Sequence, residues 1–283
     1  MPHLLRTATP SLREPVVVAA FEGWNDAGEA ATFAAKFLAE RWNAEEFATI
    51  DPEEFFDFTS TRPQVELDDD NLREIIWPKT TLSAASVPDS DLDVIFVVGT
   101  EPQLKWRTFC AEIVSAAREH GARLVVSLGA LLAEVPHSRP VSIVGTAYEA
   151  ELVRKMGLTQ STYQGPTGIV GVLHDAFRGA GVPSASFWAA VPTYVPSAPS
   201  PKAALALVER ITELLGAPVA TTDLEIASAS YERQIDSLVA DDEDTAEYVA
   251  RLEQAADDTP LVEEPQGDLI AEVERFLREH PPK

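Results

Sequence analysis

Glu22, Asn25 and Asp26 close an apolar run, Val16-Val17-Val18-Ala19-Ala20-Phe21, just before an alanine-rich segment that opens at Ala27. Two carboxylates around a carboxamide can supply a general base, accept hydrogen bonds from a ligand, or cap the helix that follows. Gly23 breaks the run and Trp24 stands beside it. A second polar pair, Thr100 and Glu101, follows the run Val94 to Val98 and Gly99. Pro136 and Pro140 pin His137 and Arg139 between them, a rigid display suited to an anion or a carboxylate. Tyr163 and Thr167 belong to a glycine-rich stretch leading into a helical pattern, with Thr167 placed as its N-cap.

In an acid–base reading Glu22 or Asp26 acts as the base, while His137 and Arg139 hold an anionic group. That reading expects Glu22, Asp26, Thr100 and Glu101 to converge in one partly open pocket. Familiar catalytic signatures are missing: no G-x-S-x-G elbow, H-E-x-x-H pair, C-x-x-C or EF-hand loop occurs. The segment from Tyr163 to Gly171 lacks the dinucleotide spacing, and no P-loop lysine follows. No nucleophile, base and orienter can be assembled, so no catalytic residue is assigned, and neither a metal site nor a cofactor is expected.

Apolar β-branched runs at 16–21, 94–98, 124–128 and 186–191 alternate with helical patterns at 27–41, 104–120 and 168–179. Such alternation predicts βαβ units and a three-layer α/β/α fold with a mostly parallel central sheet. Strands of this kind end in glycine and small or polar residues, so Glu22, Asn25 and Asp26 fall beyond a strand's carboxyl end, where open α/β sheets bind ligands. Residues 64–84 read as a small antiparallel insertion within a sheet domain of residues 1–222. Pro201 suits the first turn of a helix running to about residue 215. A helical hairpin over 223–256 follows, then an acidic linker from 257 and a terminal amphipathic helix. Leu224, Tyr231, Ile235 and Leu238 recur at helical spacing and form one apolar stripe. It can pack on the chain's own sheet or on another subunit, and the pattern does not separate the two.

The 283 residues suffice for one large domain without metal or disulfide. The single cysteine, Cys110, lies among Phe109, Ile113 and Val114 and reads as a buried, inert thiol. A net charge of -24 argues against nucleic acid and anionic membrane as partners, because phosphates are bound by clustered Lys and Arg. No apolar run approaches the ~18 residues of a membrane span. Residues 1–15 lack the apolar core of a signal peptide, so a cytoplasmic location is expected.

Five segments, in this order, resemble the actinobacterial branch of the proteasome assembly chaperone 2 family. They are Phe21-Glu22-Gly23-Trp24-Asn25-Asp26-Ala27-Gly28, Gly99-Thr100-Glu101-Pro102, Pro136-His137-Ser138-Arg139-Pro140, Tyr163-Gln164-Gly165-Pro166-Thr167-Gly168 and Pro199-Ser200-Pro201-Lys202-Ala203. The resemblance implies an α/β/α domain similar to nucleoside phosphorylases and some peptidases, extra C-terminal helices, and homo-oligomers, trimers included. It also implies a protein partner, since eukaryotic and archaeal relatives help proteasome α-subunits assemble. Some such chaperones dock through a terminal hydrophobic-tyrosine-any motif. Glu279-His280-Pro281-Pro282-Lys283 departs from it, so that docking route is not expected. The leading expectation is a non-catalytic oligomeric interaction protein. The alternative is a small-ligand-binding protein or an enzyme, nucleoside- or peptide-directed, using the crevice at the strand ends.

Overall fold

The structure, a computed structural model, describes residues 3–68, 71–88, 90–161 and 163–258. The expected terminal helix and the linker beyond residue 258 lie outside these residues.

Strands β1 (Leu4–Arg6), β2 (Val16–Glu22) and β3 (Glu45–Ile50) come first, with helix α1 (Ala30–Arg41) between the last two. A hairpin of β4 (Gln64–Leu67) and β5 (Arg73–Ile76) precedes β6 (Thr80–Ser86) and β7 (Asp93–Thr100). Next come α2 (Trp106–Glu119), β8 (Leu124–Ala133), β9 (Ile143–Ala147), α3 (Ala150–Lys155) and β10 (Thr159–Gln160). The order finishes with α4 (Ile169–Gly179), β11 (Ser184–Pro192), α5 (Pro201–Leu215), α6 (Thr222–Ala240) and α7 (Glu243–Asp258).

Nine strands form one sheet in the order β1-β3-β6-β7-β2-β8-β11-β9-β10. The four central strands, β7-β2-β8-β11, run parallel, as expected. Antiparallel pairings flank them, β6 on β7 at one side and β9 on β11 at the other. Residues 80–82, grouped in the sequence with the insertion, belong instead to β6, which lies between β3 and β7. Only β4 and β5 stand apart, as a separate two-stranded sheet.

Strand β2 shows why the middle of the sheet is apolar throughout. Val16, Val18 and Ala20 face one core with α1 and α5, while Val17, Ala19 and Phe21 face another with α2 and α4. Both faces are covered, so both periods of the pleat must be apolar. Cys110 is buried in the second core, and burial pushes its thiol up to about 12, as befits an inert side chain. Pro201 opens α5, whose first turn is capped where Ser200 Oγ accepts the Ala203 N–H at 3.3 Å.

Candidate functional site

Asp26 holds α1 in place. Its Oδ1 accepts the N–H of Ala31 at 2.6 Å and of Thr32 at 3.3 Å, and its other oxygen accepts the Thr32 hydroxyl. Those amides belong to the helix's first turn and have no partner within it, so Asp26 caps α1 from across the turn Ala27–Glu29. Burial raises its pKa above the usual carboxylate range, outweighing the hydrogen bonds from Thr32 and Ala31.

Glu22 is engaged elsewhere. Its Oε1 takes Lys36 Nζ at 2.7 Å and its Oε2 accepts from Thr100 Oγ1 at 3.0 Å. Burial opposes its ionisation, but Lys36 and the Thr100 hydroxyl together hold the carboxyl below its ordinary value. Glu101 Oε1 accepts the Ile169 N–H at 2.8 Å and Asn25 Nδ2–H at 3.3 Å. Because Ile169 is the first residue of α4, Glu101 does the capping that the sequence assigned to Thr167. The Thr167 hydroxyl reaches only the Gly168 carbonyl, at 3.5 Å. A Cβ on Gly168 would lie 2.5 Å from Asn25 Nδ2 and 2.7 Å from Glu101 Oε1. Glycine there lets the loops after β2 and β7 meet the start of α4.

The four residues expected to converge are split: Glu22 and Thr100 bond each other, while Asp26 and Glu101 cap two different helices. A correction also applies to His137 and Arg139, which lie away from that loop and clasp the C-terminal helices. The Tyr194 hydroxyl accepts the His137 N–H and meets Nδ1, both at 2.8 Å, and His137 Nε2 lies 3.0 Å from Asp236 Oδ1 on α6. Arg139 forms a two-pronged pair with Asp257 on α7 at 2.8 and 2.9 Å, and Ser138 bonds Glu253. Lys202 donates to the carbonyls of His137 at 2.5 Å and Arg139 at 2.7 Å and pairs with Glu232. The acids that answer His137 and Arg139 thus come from the chain itself.

A cavity of about 910 Å³ begins at the same loop and continues over the sheet. Trp24, Asn25, Asp26, Tyr163 and Thr167 line it, whereas Glu22, Thr100, Glu101, His137 and Arg139 do not. Its remaining walls include Leu131, Val144, Tyr148 and Trp188, with Thr146, Ser186 and His174 as polar members. Ser127, Ser186 and Thr146 are register partners across β8, β11 and β9, so their hydroxyls share one face of the sheet. Thr146 Oγ1 and Ser186 Oγ are 2.7 Å apart, and Trp188 Nε1–H donates to Ser186 Oγ at 3.0 Å. Sequence reasoning missed these groups; the available signal was hydroxyls at alternate positions of an otherwise apolar strand, Ser184 and Ser186 before Trp188.

Ser127 Oγ and His174 Nε2 stand 2.8 Å apart, the spacing of a nucleophile and its base. Ser127 does not line the cavity and is buried, and His174 Nδ1 has no partner among the described residues. Burial alone drives the His174 pKa down to about 4. Ser127 thus lies outside the cavity, and among the described residues no third group orients the imidazole from Nδ1.

The apolar stripe on α6 divides. Leu224, Tyr231 and Ile235 are buried in the chain itself, Leu224 in the core shared with α1 and α5, whereas Leu238 is 61% exposed. The hairpin of α6 and α7 therefore packs on its own chain. No described helix is long and apolar enough to cross a membrane, and the described residues contain no cluster of three or more His, Cys, Asp or Glu placed to hold a metal ion.

The family model described as PAC2 family matches residues 20–239. Among solved structures, a PAC2 family protein from Streptomyces avermitilis is 45% identical, covering 83% of this chain and 99% of its own, with a TM-score of 0.78. A proteasome-assembly chaperone homologue from Mycobacterium tuberculosis is 46% identical over 83% of this chain and 99% of its own, with a TM-score of 0.75. An archaeal proteasome activator from Pyrococcus furiosus shares the fold at 17% identity, covering 83% of this chain and 97% of its own, with a TM-score of 0.68. No curated protein matches the chain.

Proposed function

We propose, because this chain belongs to the PAC2 family, that it is a non-catalytic oligomeric interaction protein of the assembly-chaperone kind. The observation that carries the reading is the β4–β5 hairpin. Val65 faces Ile75 and Leu67 faces Arg73 on one side of it, and Val65, Leu67 and Ile75 are 59%, 64% and 47% exposed. Leu72 in the hairpin's turn and Trp77 at its end are exposed as well. An isolated two-stranded hairpin is marginally stable in water, and covering side chains that are about half exposed gains each roughly half of the ~1.5–3 kcal/mol of full burial.

A second copy of the chain is the partner this face suits. Two molecules of net charge -24 repel, so they meet best through a surface where the strand residues carry only a positive Arg73. Trimers are the form we propose. The name of the mycobacterial relative supports proteasome subunits as the client.

Sedimentation velocity of the full chain tests the oligomer. The wild type should run as a trimer and the double variant Val65→Glu, Ile75→Glu as a folded monomer; a monomeric wild type would overturn the oligomer. Co-sedimentation with purified proteasome α-subunits tests the client, and no complex at micromolar concentrations would remove that part alone.

A further inference from the structure

We propose that the cavity beside β11 and β9 is a binding site for an uncharged, ring-bearing small molecule, seated against Trp188 with a polar edge toward Ser186, Thr146 and His174. Trp188 is half-buried and shares an edge with β8, where Gly129 leaves room for its ring. Leu131 and Val144 are 44% and 47% exposed beside it, and the rings of Trp24, Tyr148 and Tyr163 stand open around them. So many large apolar groups around one concavity match the predominantly apolar and aromatic walls of small-molecule sites, and about 910 Å³ falls within the usual size of roughly 300–1,000 Å³.

Three neutral polar groups give the cavity a direction. The Ser186 and Thr146 hydroxyls are bonded to each other, and Ser186 also accepts from the Trp188 indole, which fixes where their remaining bonding capacity lies. His174 is 6% exposed, lines the cavity, and keeps Nδ1 without a partner among the described residues. A buried nitrogen left unbonded is unfavourable, and a ligand's polar atom at this wall offsets that.

Charge narrows the class. Among the described residues lining the cavity none is Lys or Arg, and the charged members, Asp26 and Glu29, are acids. Phosphates and carboxylates would enter a field of their own sign without a cation to meet them. The chemistry is that of a flat, neutral aromatic molecule carrying one or two hydrogen-bonding atoms.

N-phenyl-1-naphthylamine and 8-anilino-1-naphthalenesulfonate share an aromatic frame and differ by a sulfonate, so the pair reads the charge rule directly. With the full chain, fluorescence titration should give saturable binding of one neutral probe per chain, with Trp quenching, and at least about tenfold weaker binding of the sulfonate. Val144→Trp, which fills the cavity from an exposed strand position, should abolish binding at an unchanged thermal midpoint. Leu131→Trp serves as a second filler should that variant melt early. The Val65→Glu, Ile75→Glu chain should bind as the wild type does, which separates this site from the oligomer contact. Absence of saturable binding, equal binding of the sulfonate, or binding that survives both fillers would each overturn the site.

Discussion

Gly129 on β8 and Trp188 on β11 are direct cross-strand partners, and a Cβ on Gly129 would stand 2.5 Å from the Trp188 ring. The indole thus lies over a backbone position that has no side chain to lift it. Gly129→Ala should push the ring off, at a cost of about 1–3 kcal/mol typical of an overfilled site. A lower urea midpoint with a shifted Trp emission maximum is expected; an unchanged midpoint and spectrum would contradict the contact.

Asp26 should show its capping role in both stability and pH response. Asp26→Ala should cost about 0.5–2 kcal/mol, since it frees the first-turn amides of α1. Burial has raised the folded carboxyl above the unfolded value of 3.8, so the folded chain holds this proton more tightly. Its contribution is complete below the unfolded value and declines as pH rises through the folded one. Asp26→Asn should remove that decline from a urea series at graded pH.

His174 has the opposite sign. Its pKa falls from 6.5 unfolded to about 4 folded, so between these values the unfolded chain takes up a proton that the folded chain refuses. Stability should fall as pH drops through this window. In His174→Gln that slope should flatten, and an undiminished slope would assign the acid sensitivity to other groups.

Arg139→Ala should loosen α7 without unfolding the sheet. Its pair with Asp257 is exposed to solvent, so the effect belongs to the local docking of the helix rather than to global stability. Limited proteolysis should cut within 243–258 faster than in the wild type, while the main unfolding midpoint stays put.

Leu224→Ala and Leu238→Ala should part company. The first empties a core position and should cost about 2–5 kcal/mol. The second trims a side chain already 61% exposed and should stay within about 0.5 kcal/mol. Equal losses in chemical denaturation would mean that Leu238 is covered in solution.

The central strands were legible because a parallel sheet covered on both faces demands unbroken apolar runs such as Val16 to Phe21 and Val94 to Val98. β3 escaped because Glu45 and Glu46 open it, and β9 because Ile-Val-Gly-Thr-Ala is short and half-exposed. The first loop was rightly placed at a strand's carboxyl end, yet the partners of its carboxylates were hidden. Glu101 reaches a helix 68 positions along the chain, and only strand register brings Thr146 to Ser186, 40 positions away. His137 and Arg139 looked like a display for a foreign anion because the acids answering them lie about a hundred positions downstream.

Synthesis runs from the amino end, so Arg139 is in place 118 residues before Asp257 exists to meet it. Until then Arg139 lacks this partner, and closing so long a loop costs entropy that the contacts of α6 and α7 must offset. The clasp therefore closes only after α7 has been made, which ties the docking of that helix to a turn laid down long before it.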